Sequence, residues 1–474
     1  MIQRVALINP YYQKLVQSIA QTTVGPPLGL AYVAAVLEKQ GYNVSIIDAN
    51  AEQLSLAQII NRVLEFKAQL VGITAVTPTI KLAGQIACQL KKEDSSIFTV
   101  IGGIHASVLP EETLAECNDF DFLVRGEGEF VIAELLKALN NGLPLQAIGG
   151  LAYREKDAVV MNQPQSRVED LDTLPFPARH LLKNRLYRSF ESDKMTTMIA
   201  MRGCPAQCIY CAVKLSAGSV CRKRSPSNII EEIKLCEADY GTRFVGFLDD
   251  TFTFDKSWVH SLCDELIKSG LHRRIQWSCL TRVDNVDYAL LGHMKEAGCV
   301  RVEFGIESGS QRILDYLKKG ITIRQIKEAF AMAKKIGLST MSFAMMNIPG
   351  ETKEDIAETK CLLLEIKPDF LQLSFATPYP GTQLYNLCVK DNLLLSRDWP
   401  RYVFLNYQII KNNLITEKEL NELMWDIQRA FYLRPGYILF MFVYICKHPV
   451  RIKTVSRVGW IALKKLLFRK QENP

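Results

Sequence analysis

Cys204, Cys208 and Cys211 stand in the run RGCPAQCIYCAV, spaced C-x3-C-x2-C, directly after a strand-like segment. Three thiolates on one tight loop can hold three irons of a cubane iron–sulfur cluster. The fourth iron then has no protein ligand and is open to a small molecule. Zinc is the competing metal, but a structural zinc site takes four ligands. No fourth Cys or His follows at finger-like spacing, and Cys221 lies ten residues on, beyond Gly218. Thioredoxin-like exchange would use C-x-x-C alone and leave Cys204 unexplained. Buried cysteines are common in cores, but three within eight residues after a strand is not a chance core pattern.

Two series of elements frame that loop. Residues 1–142 alternate strand and helix signals, with strands at 4–9, 43–48, 70–76, 98–103 and 120–126 and helices at 28–40, 54–67, 80–92, 111–116 and 129–140. Five such units predict a doubly wound parallel sheet, whose ligands sit at the carboxyl ends of the strands. Those ends carry Asn9, Asp48, Thr74 to Thr77, Gly102, Gly103, Gly126 and Glu127. The rhythm breaks over 143–194, where EDLDTLPFPARHLL, with two prolines, reads as a linker. A second series of strands follows at 196–203, 243–250, 275–282, 300–308, 339–349 and 369–378, each separated by helix signals. This fits a barrel or partial barrel, with functional groups at its C-terminal face. The expected class is therefore α/β. A doubly wound domain (1–145) leads through a linker (146–194) to a partial (β/α)6 barrel (195–390) and a mostly helical C-terminal region (391–474).

Residues 196–381 resemble the radical S-adenosylmethionine (radical SAM) superfamily. The C-x3-C-x2-C loop carries an aromatic, Tyr210, just before its third cysteine, as that family's motif does. The resemblance implies a 4Fe–4S cluster on Cys204, Cys208 and Cys211. SAM would chelate the open iron through its amino and carboxylate groups and be cleaved reductively to a 5′-deoxyadenosyl radical. It also implies SAM contacts. Tyr210 lies on the loop. Asp249 and Asp250, in FLDD, suit an ammonium, though an N-cap for the next helix would also explain one of them. Arg282 suits the SAM carboxylate or a surface ion pair. Glu307, in FGIES, suits ribose hydroxyls, with Glu303 as the competing carboxylate. Pro349 and Gly350, in NIPGE, suit backbone contacts to adenine, or simply a tight turn.

The first domain resembles the cobalamin-binding domain of one branch of that superfamily. The matching words are PPLGLAYVAAVLEKQG, VGIT, GGIHAS and RGEGE, all on the first helix or at strand ends. The resemblance implies corrin or nucleotide-tail contacts from Thr74, Thr77, Gly102, Gly103, Gly126 and Glu127. His105 is the histidine to consider for cobalt. However, cobalamin domains that use one carry D-x-H-x-x-G after the first strand, and here that loop reads NPYYQKLV. A free lower face of cobalt is expected. A degenerate scaffold domain is the competing reading. A dinucleotide site is disfavoured, because no G-x-G-x-x-G follows the first strand. The branch this chain most resembles contains the anaerobic magnesium-protoporphyrin monomethyl ester cyclase and the cobalamin-dependent methylases.

Composition bounds the rest. Hydrophobic residues make up 48% and charged residues 23% of 474, an ordinary globular balance. Thirteen cysteines are too sparse, and odd in number, for a disulfide scaffold. No secretory leader is read at the N-terminus, and no run approaches the ~18 apolar residues of a membrane span. A cytoplasmic chain is expected. Residues 447–474 carry eight Lys or Arg against one Glu, which accounts for the whole net charge of +7. The body is neutral, so no nucleic-acid partner is expected. The ten-residue apolar run 437–446 and that basic tail, with Trp460, Leu463, Leu466, Leu467 and Phe468, fit either peripheral contact with the inner membrane face or a helix packed on the barrel.

The leading expectation is a cobalamin-binding radical SAM enzyme that methylates an unactivated carbon of a small-molecule or lipid substrate. It would draw electrons from a donor such as flavodoxin or ferredoxin. Oxidative cyclisation or rearrangement with the same parts is the runner-up. A cluster-bearing electron carrier or redox sensor is the reading from another class. No general acid is assigned. Tyr379, Tyr385 and Cys388 lie near the barrel mouth in sequence, where core packing explains them equally well.

Overall fold

The computed structural model describes residues 1–11, 24–156, 158–189, 191–403 and 407–447. The first sheet contains β1 (Arg4–Asn9), β2 (Asn43–Asp48), β3 (Leu70–Thr74), β4 (Phe98–Gly102), β5 (Phe122–Val124), β6 (Leu151–Glu155) and β7 (Ala158–Met161). Their order is β2-β1-β3-β4-β5-β6-β7. The first five run parallel, while β6 and β7 pair antiparallel. The strands of the parallel part are continuous apolar runs because helices cover both faces; in β1, Val5 to Ile8 are all buried.

The β6–β7 hairpin corrects the reading of 146–194 as a bare linker, since part of that stretch extends the first sheet. An antiparallel hairpin needs no crossover helix, so the alternation that reveals parallel strands is missing there. Lys156, at the turn, takes the left-handed conformation at φ +56°.

The second sheet contains β8 (Met195–Met198), β11 (Phe244–Phe247), β12 (Gln276–Thr281), β13 (Cys299–Glu307), β14 (Ser339–Met346) and β15 (Phe370–Phe375). The order is β15-β14-β13-β12-β11-β8, all parallel. A short antiparallel pair, β9 (Met201–Arg202) and β10 (Arg222–Lys223), closes the neck of the segment holding the three cysteines. The barrel has one continuous core, in which Trp277 packs against Phe247 and Phe252 and donates its Nε1–H to Ala297 O at 2.9 Å. Met195 and Phe244 also join the core under the first sheet, so apolar packing crosses between the two sheets.

The described C-terminal region ends in two helices, as expected. Trp399, Tyr402 and Ile409 enter the core of the first domain. Helix Glu417–Tyr432 begins with a Thr416–Glu419 capping box and buries Leu420, Met424, Ile427 and Phe431, one stripe at helical spacing. Helix Pro435–Lys447 exposes Ile438, Leu439, Phe442 and Val443. Among the described residues no helix is long and apolar enough to cross a membrane. The basic tail from 448 onward, including Trp460, lies outside the described residues.

Candidate cofactor sites at the carboxyl edges of the two sheets

The cysteine loop leaves β9 at Gly203, which has φ +102°. A Cβ there would lie 2.2 Å from Val220 O, so only glycine lets the two sides of the neck close. The loop is held by Cys204 N–H to Gly218 O (3.1 Å) and Cys211 N–H to Cys208 O (3.3 Å). It is tied to the barrel by Ile209 N–H to Leu317 O (3.0 Å) and Leu384 N–H to Ile209 O (2.9 Å).

All three thiols are free and half-buried. Burial pushes the Cys211 thiol up to about 11, with further contributions from Cys208 and Cys204. Three thiols on one loop are a donor set suited to a multivalent cation, which deprotonates its ligands. Among the described residues no group of three or more His, Cys, Asp or Glu side chains already stands converged as a metal site. The fit therefore rests on the chemistry of the donors and their common loop.

Barrel side chains of opposite charge meet at this loop. The Tyr210 hydroxyl donates to Glu307 Oε1 at 2.8 Å, and Lys319 Nζ donates to the same oxygen at 2.8 Å and to the Tyr210 hydroxyl at 3.1 Å. Glu307 ends β13 at a register shift against β14, with φ +63°. Lys319 is 7% exposed. A buried ammonium needs a partner, and Glu307 supplies it. Arg282 forms a two-pronged pair with Asp284 at 2.9 Å for each bond and donates to Lys319 O at 2.7 Å. Its remaining nitrogen points to Cys208 Sγ at 3.9 Å. It is therefore a largely buried group of the loop rather than a surface ion pair. Glu303 is engaged by Arg301 instead, away from this group.

Neither carboxylate of FLDD caps the following helix, whose N-cap is Asp255. Asp249 Oδ1 accepts from Ala200 N–H (2.9 Å) and Met201 N–H, bracing the chain just ahead of the cysteines. Its Oδ2 is buried without a hydrogen-bond partner, and burial pushes its carboxyl up to about 8. Asp250 accepts from Gly203 N–H, while burial raises its carboxyl as well.

At the end of β14, Pro349 is half-buried, and Gly350, at φ +76°, is exposed and accepts from Arg312 through its carbonyl (2.9 Å). Beside them Asn347 Oδ1 and Glu351 Oε1 are buried and unpartnered, and burial pushes the Glu351 carboxyl up to about 8. The sequence does not single out Lys319, Asn347 or Glu351 as site residues. A lysine before a glycine and a glutamate after a turn carry no local signal of burial.

In the first domain, the carboxyl ends of β3, β4 and β5 are stitched together. Ala75 N–H donates to Gly102 O at 2.9 Å. The Ser107 hydroxyl donates to Gly103 O (2.8 Å) and accepts from Gly126 N–H (2.9 Å). Thr74 and Gly102 are half-buried along this edge, and Gly126 is exposed.

His105 and Thr77 are turned inward. His105 Nδ1 lies 3.2 Å from Thr77 Oγ1, its ring meets Trp399 edge-on at 5.3 Å, and only 2% of it is exposed. With one ring nitrogen engaged by Thr77 and the ring covered by Trp399, His105 is a packed core imidazole. Glu127 is taken up by Arg222, Arg202 and Val168 N–H, so its oxygens are already occupied.

Burial pushes the His105 imidazole down to about 4. The unfolded chain takes up that proton near pH ~6.5, the folded chain only near the lower value. The unfolded state thus binds more protons in between. His105 contributes fully above pH ~6.5, and stability falls as pH drops through that window, by roughly 3 kcal/mol. Denaturant midpoints measured between pH 7 and 4.5 should slope less steeply for His105→Gln. Superimposable profiles would remove His105 as the source.

Residues 19–136 match the B12 binding domain family and residues 198–363 the radical SAM superfamily. An uncharacterised methyltransferase of Pyrococcus horikoshii is 34% identical over 92% of this chain and 94% of its own length. The anaerobic magnesium-protoporphyrin IX monomethyl ester cyclase of Cereibacter sphaeroides is 28% identical over 91% of this chain and 70% of its own. Among solved structures, the radical SAM methyltransferase TsrM of Kitasatospora setae, with cobalamin and a [4Fe–4S] cluster bound, superposes with a TM-score of 0.73. The match covers 92% of this chain and 90% of that one at 16% identity, a likeness of fold. A cobalamin-binding domain joined in this order to a radical SAM barrel, with a methyltransferase relative over almost its whole length, decides the assignment: the chain belongs to the cobalamin-binding radical SAM methyltransferase family.

Proposed function

We propose that the chain methylates an unactivated carbon of a small-molecule substrate held between its two sheet edges. The observation that carries this reading is the juxtaposition of the cysteine loop with the stitched carboxyl edge of the first domain on one chain. When bound, the cofactors supply reductive cleavage of SAM, hydrogen abstraction and the transferable methyl group.

The chain's own residues bind and orient. Cys204, Cys208 and Cys211 are the iron ligands. Arg282, beside Cys208, and Lys319 offer cations for the methionine carboxylate, while the spare oxygen of Asp249 and the carboxylate of Asp250 suit its ammonium. Glu307, whose position Tyr210 and Lys319 fix, would accept from ribose hydroxyls. Pro349 and Gly350 would offer backbone contacts to the adenine. Thr74, Gly102, Gly103 and Gly126 would hold the corrinoid at the edge of the first sheet. An external one-electron donor of the flavodoxin or ferredoxin kind completes the system. A lipid substrate is supported by the exposed apolar side chains on helix Pro435–Lys447. Cyclisation with the same parts is the second reading, supported by the cyclase relative.

Anaerobic reconstitution with iron, sulfide and hydroxocobalamin, then reduction with SAM, tests this. Both 5′-deoxyadenosine and stoichiometric corrinoid are expected. 5′-Deoxyadenosine without corrinoid would overturn the methylation reading, and absence of both would overturn the assignment of cofactors.

A further inference from the structure

Both arginines at the neck of the cysteine loop leave the barrel and end on the first domain. Arg222, on β10, meets Glu127 through two bonds, Nη2 to Oε1 at 2.7 Å and Nη1 to Oε2 at 3.0 Å. Arg202, on β9, donates to Glu129 Oε1 at 2.6 Å, approaches Glu127 at 3.3 Å and lies over the Tyr32 ring at 5.3 Å. Glu127 and Glu129 open helix Gly128–Asn141, immediately after β5, at the carboxyl edge of the first sheet. Each of these four side chains is between 6% and 12% exposed. Burial opposes the charge on Glu127, but Arg222, Val168 N–H and Arg202 outweigh it and hold its carboxyl below the usual range.

The network reaches into the loop itself. Arg222 also donates to Ala217 O (3.0 Å) and Val168 O (2.6 Å). Arg202 directly precedes Gly203 and Cys204, and Gly218 O accepts from Cys204 N–H. The segment joining the domains is caught as well, because Val168 N–H donates to Glu127 Oε2 at 2.9 Å and the Arg167 guanidinium packs on Gly218.

Burying two ion pairs is a poor way to add stability, since desolvation cancels much of the attraction and apolar side chains would serve as well. What such pairs supply is direction. A two-pronged arginine–carboxylate contact fixes both distance and angle. Here it acts between the base of the cysteine loop and the carboxyl edge of the first sheet, which would hold the corrinoid.

We propose that Glu127, Glu129, Arg202 and Arg222 are positioning residues that set the spacing between the cluster loop and the corrinoid edge. Their task is to keep SAM within methyl-transfer range of cobalamin. This inference rests on the proposed function.

The test uses the full chain with Glu129→Gln, Arg222→Lys and the two combined. Hydrogen–deuterium exchange of the apo chains should rise at least tenfold in peptides covering 125–131 and 201–203 of the double variant, with β1 and β3 unchanged. In the reconstituted double variant, S-adenosylhomocysteine formed from SAM with reduced cobalamin should fall at least tenfold. 5′-Deoxyadenosine formation should stay within twofold, with iron and corrinoid contents as in the parent. Arg222→Lys alone, which keeps the charge and loses the two-pronged geometry, should fall in between. Equal losses of both products, or unchanged exchange, would overturn the proposal. If the parent chain makes neither product, the proposed function fails, and the exchange measured without cofactors decides the clamp on its own.

Discussion

The Cys208→Ala chain is expected to lose its bound iron and to form 5′-deoxyadenosine at least about 10³-fold more slowly than the parent. A cubane held by three thiolates has no substitute when one is removed, and the open iron is the only place for SAM to be activated. The comparison that makes the result specific is Cys221→Ala. That thiol belongs to the same neck and is engaged by Met201 Sδ at 3.4 Å. It should keep iron content and SAM cleavage within about twofold if only three thiols bind, a difference of under ~0.5 kcal/mol. Iron analysis and chromatography of the nucleoside product read both chains. Equal loss from Cys221→Ala would make the site a four-thiol centre with no open iron, and the radical chemistry would fall with it. Cys208 keeps its main structural contact, the backbone bond from Cys211, in the alanine variant. The melting temperature of the cofactor-free chain should therefore move little, while the reconstituted parent gains stability from its cluster that the variant lacks.

Gly103→Ala is expected to destabilise the first domain by about 3 kcal/mol or more and to lower corrinoid retention at least tenfold. Gly103 has φ +94°, a conformation that costs an alanine about 1–2 kcal/mol by itself. Its Cβ would also lie 2.5 Å from Ala75 O, 2.8 Å from Ala75 N and 2.9 Å from Thr74 Oγ1. Two of these are backbone atoms that cannot rotate away. Ala75 accepts from His105 N–H and donates to Gly102 O, so a shift would open the whole β3–β4 edge. Gly102→Ala is the control. Its Cβ would meet nothing closer than Val124 O at 3.8 Å, and the expected cost is below about 1 kcal/mol. Thermal unfolding and the absorbance of copurified corrinoid measure both variants. A Gly103→Ala chain that melts and binds like the parent would show that the edge adjusts, and that the close approach does not matter.

The glycine pair illustrates a difference between motif and reason. Read from the sequence, Gly102 and Gly103 make room for a ligand. In the fold, Gly103 makes room first for Ala75 and Thr74, and any ligand benefit follows from the tight edge that results. His105 shows the same shift. It is the histidine of GGIHAS that the sequence offers for cobalt, at a strand where histidine-using cobalamin domains do not carry it, and Trp399, from far down the chain, makes it a core residue.

Whatever depends on neighbours along the chain is legible in the sequence. The C-x3-C-x2-C spacing is local, so the proposed iron site is written in one short run. The five parallel strands of the first sheet and the six of the second repeat one period of apolar strand and amphipathic helix, so the parallel strands of both sheets can be read from the pattern of residues alone. The Thr416–Glu419 box announces its helix within four residues.

Contacts between distant residues exist only in the folded chain. Glu127 and Arg222 are 95 residues apart, and no pattern in RGEGE or in the segment around Arg222 points from one to the other. Lys319 is one of many lysines until Glu307 and Tyr210 surround it. The β6–β7 hairpin is hidden in a stretch that reads as a linker, because antiparallel strands need no helix between them. The first two share a physical reason. Burial and charge pairing are properties of the packed interior, where desolvation makes a lone charge untenable, and one-dimensional spacing does not say which surfaces will meet.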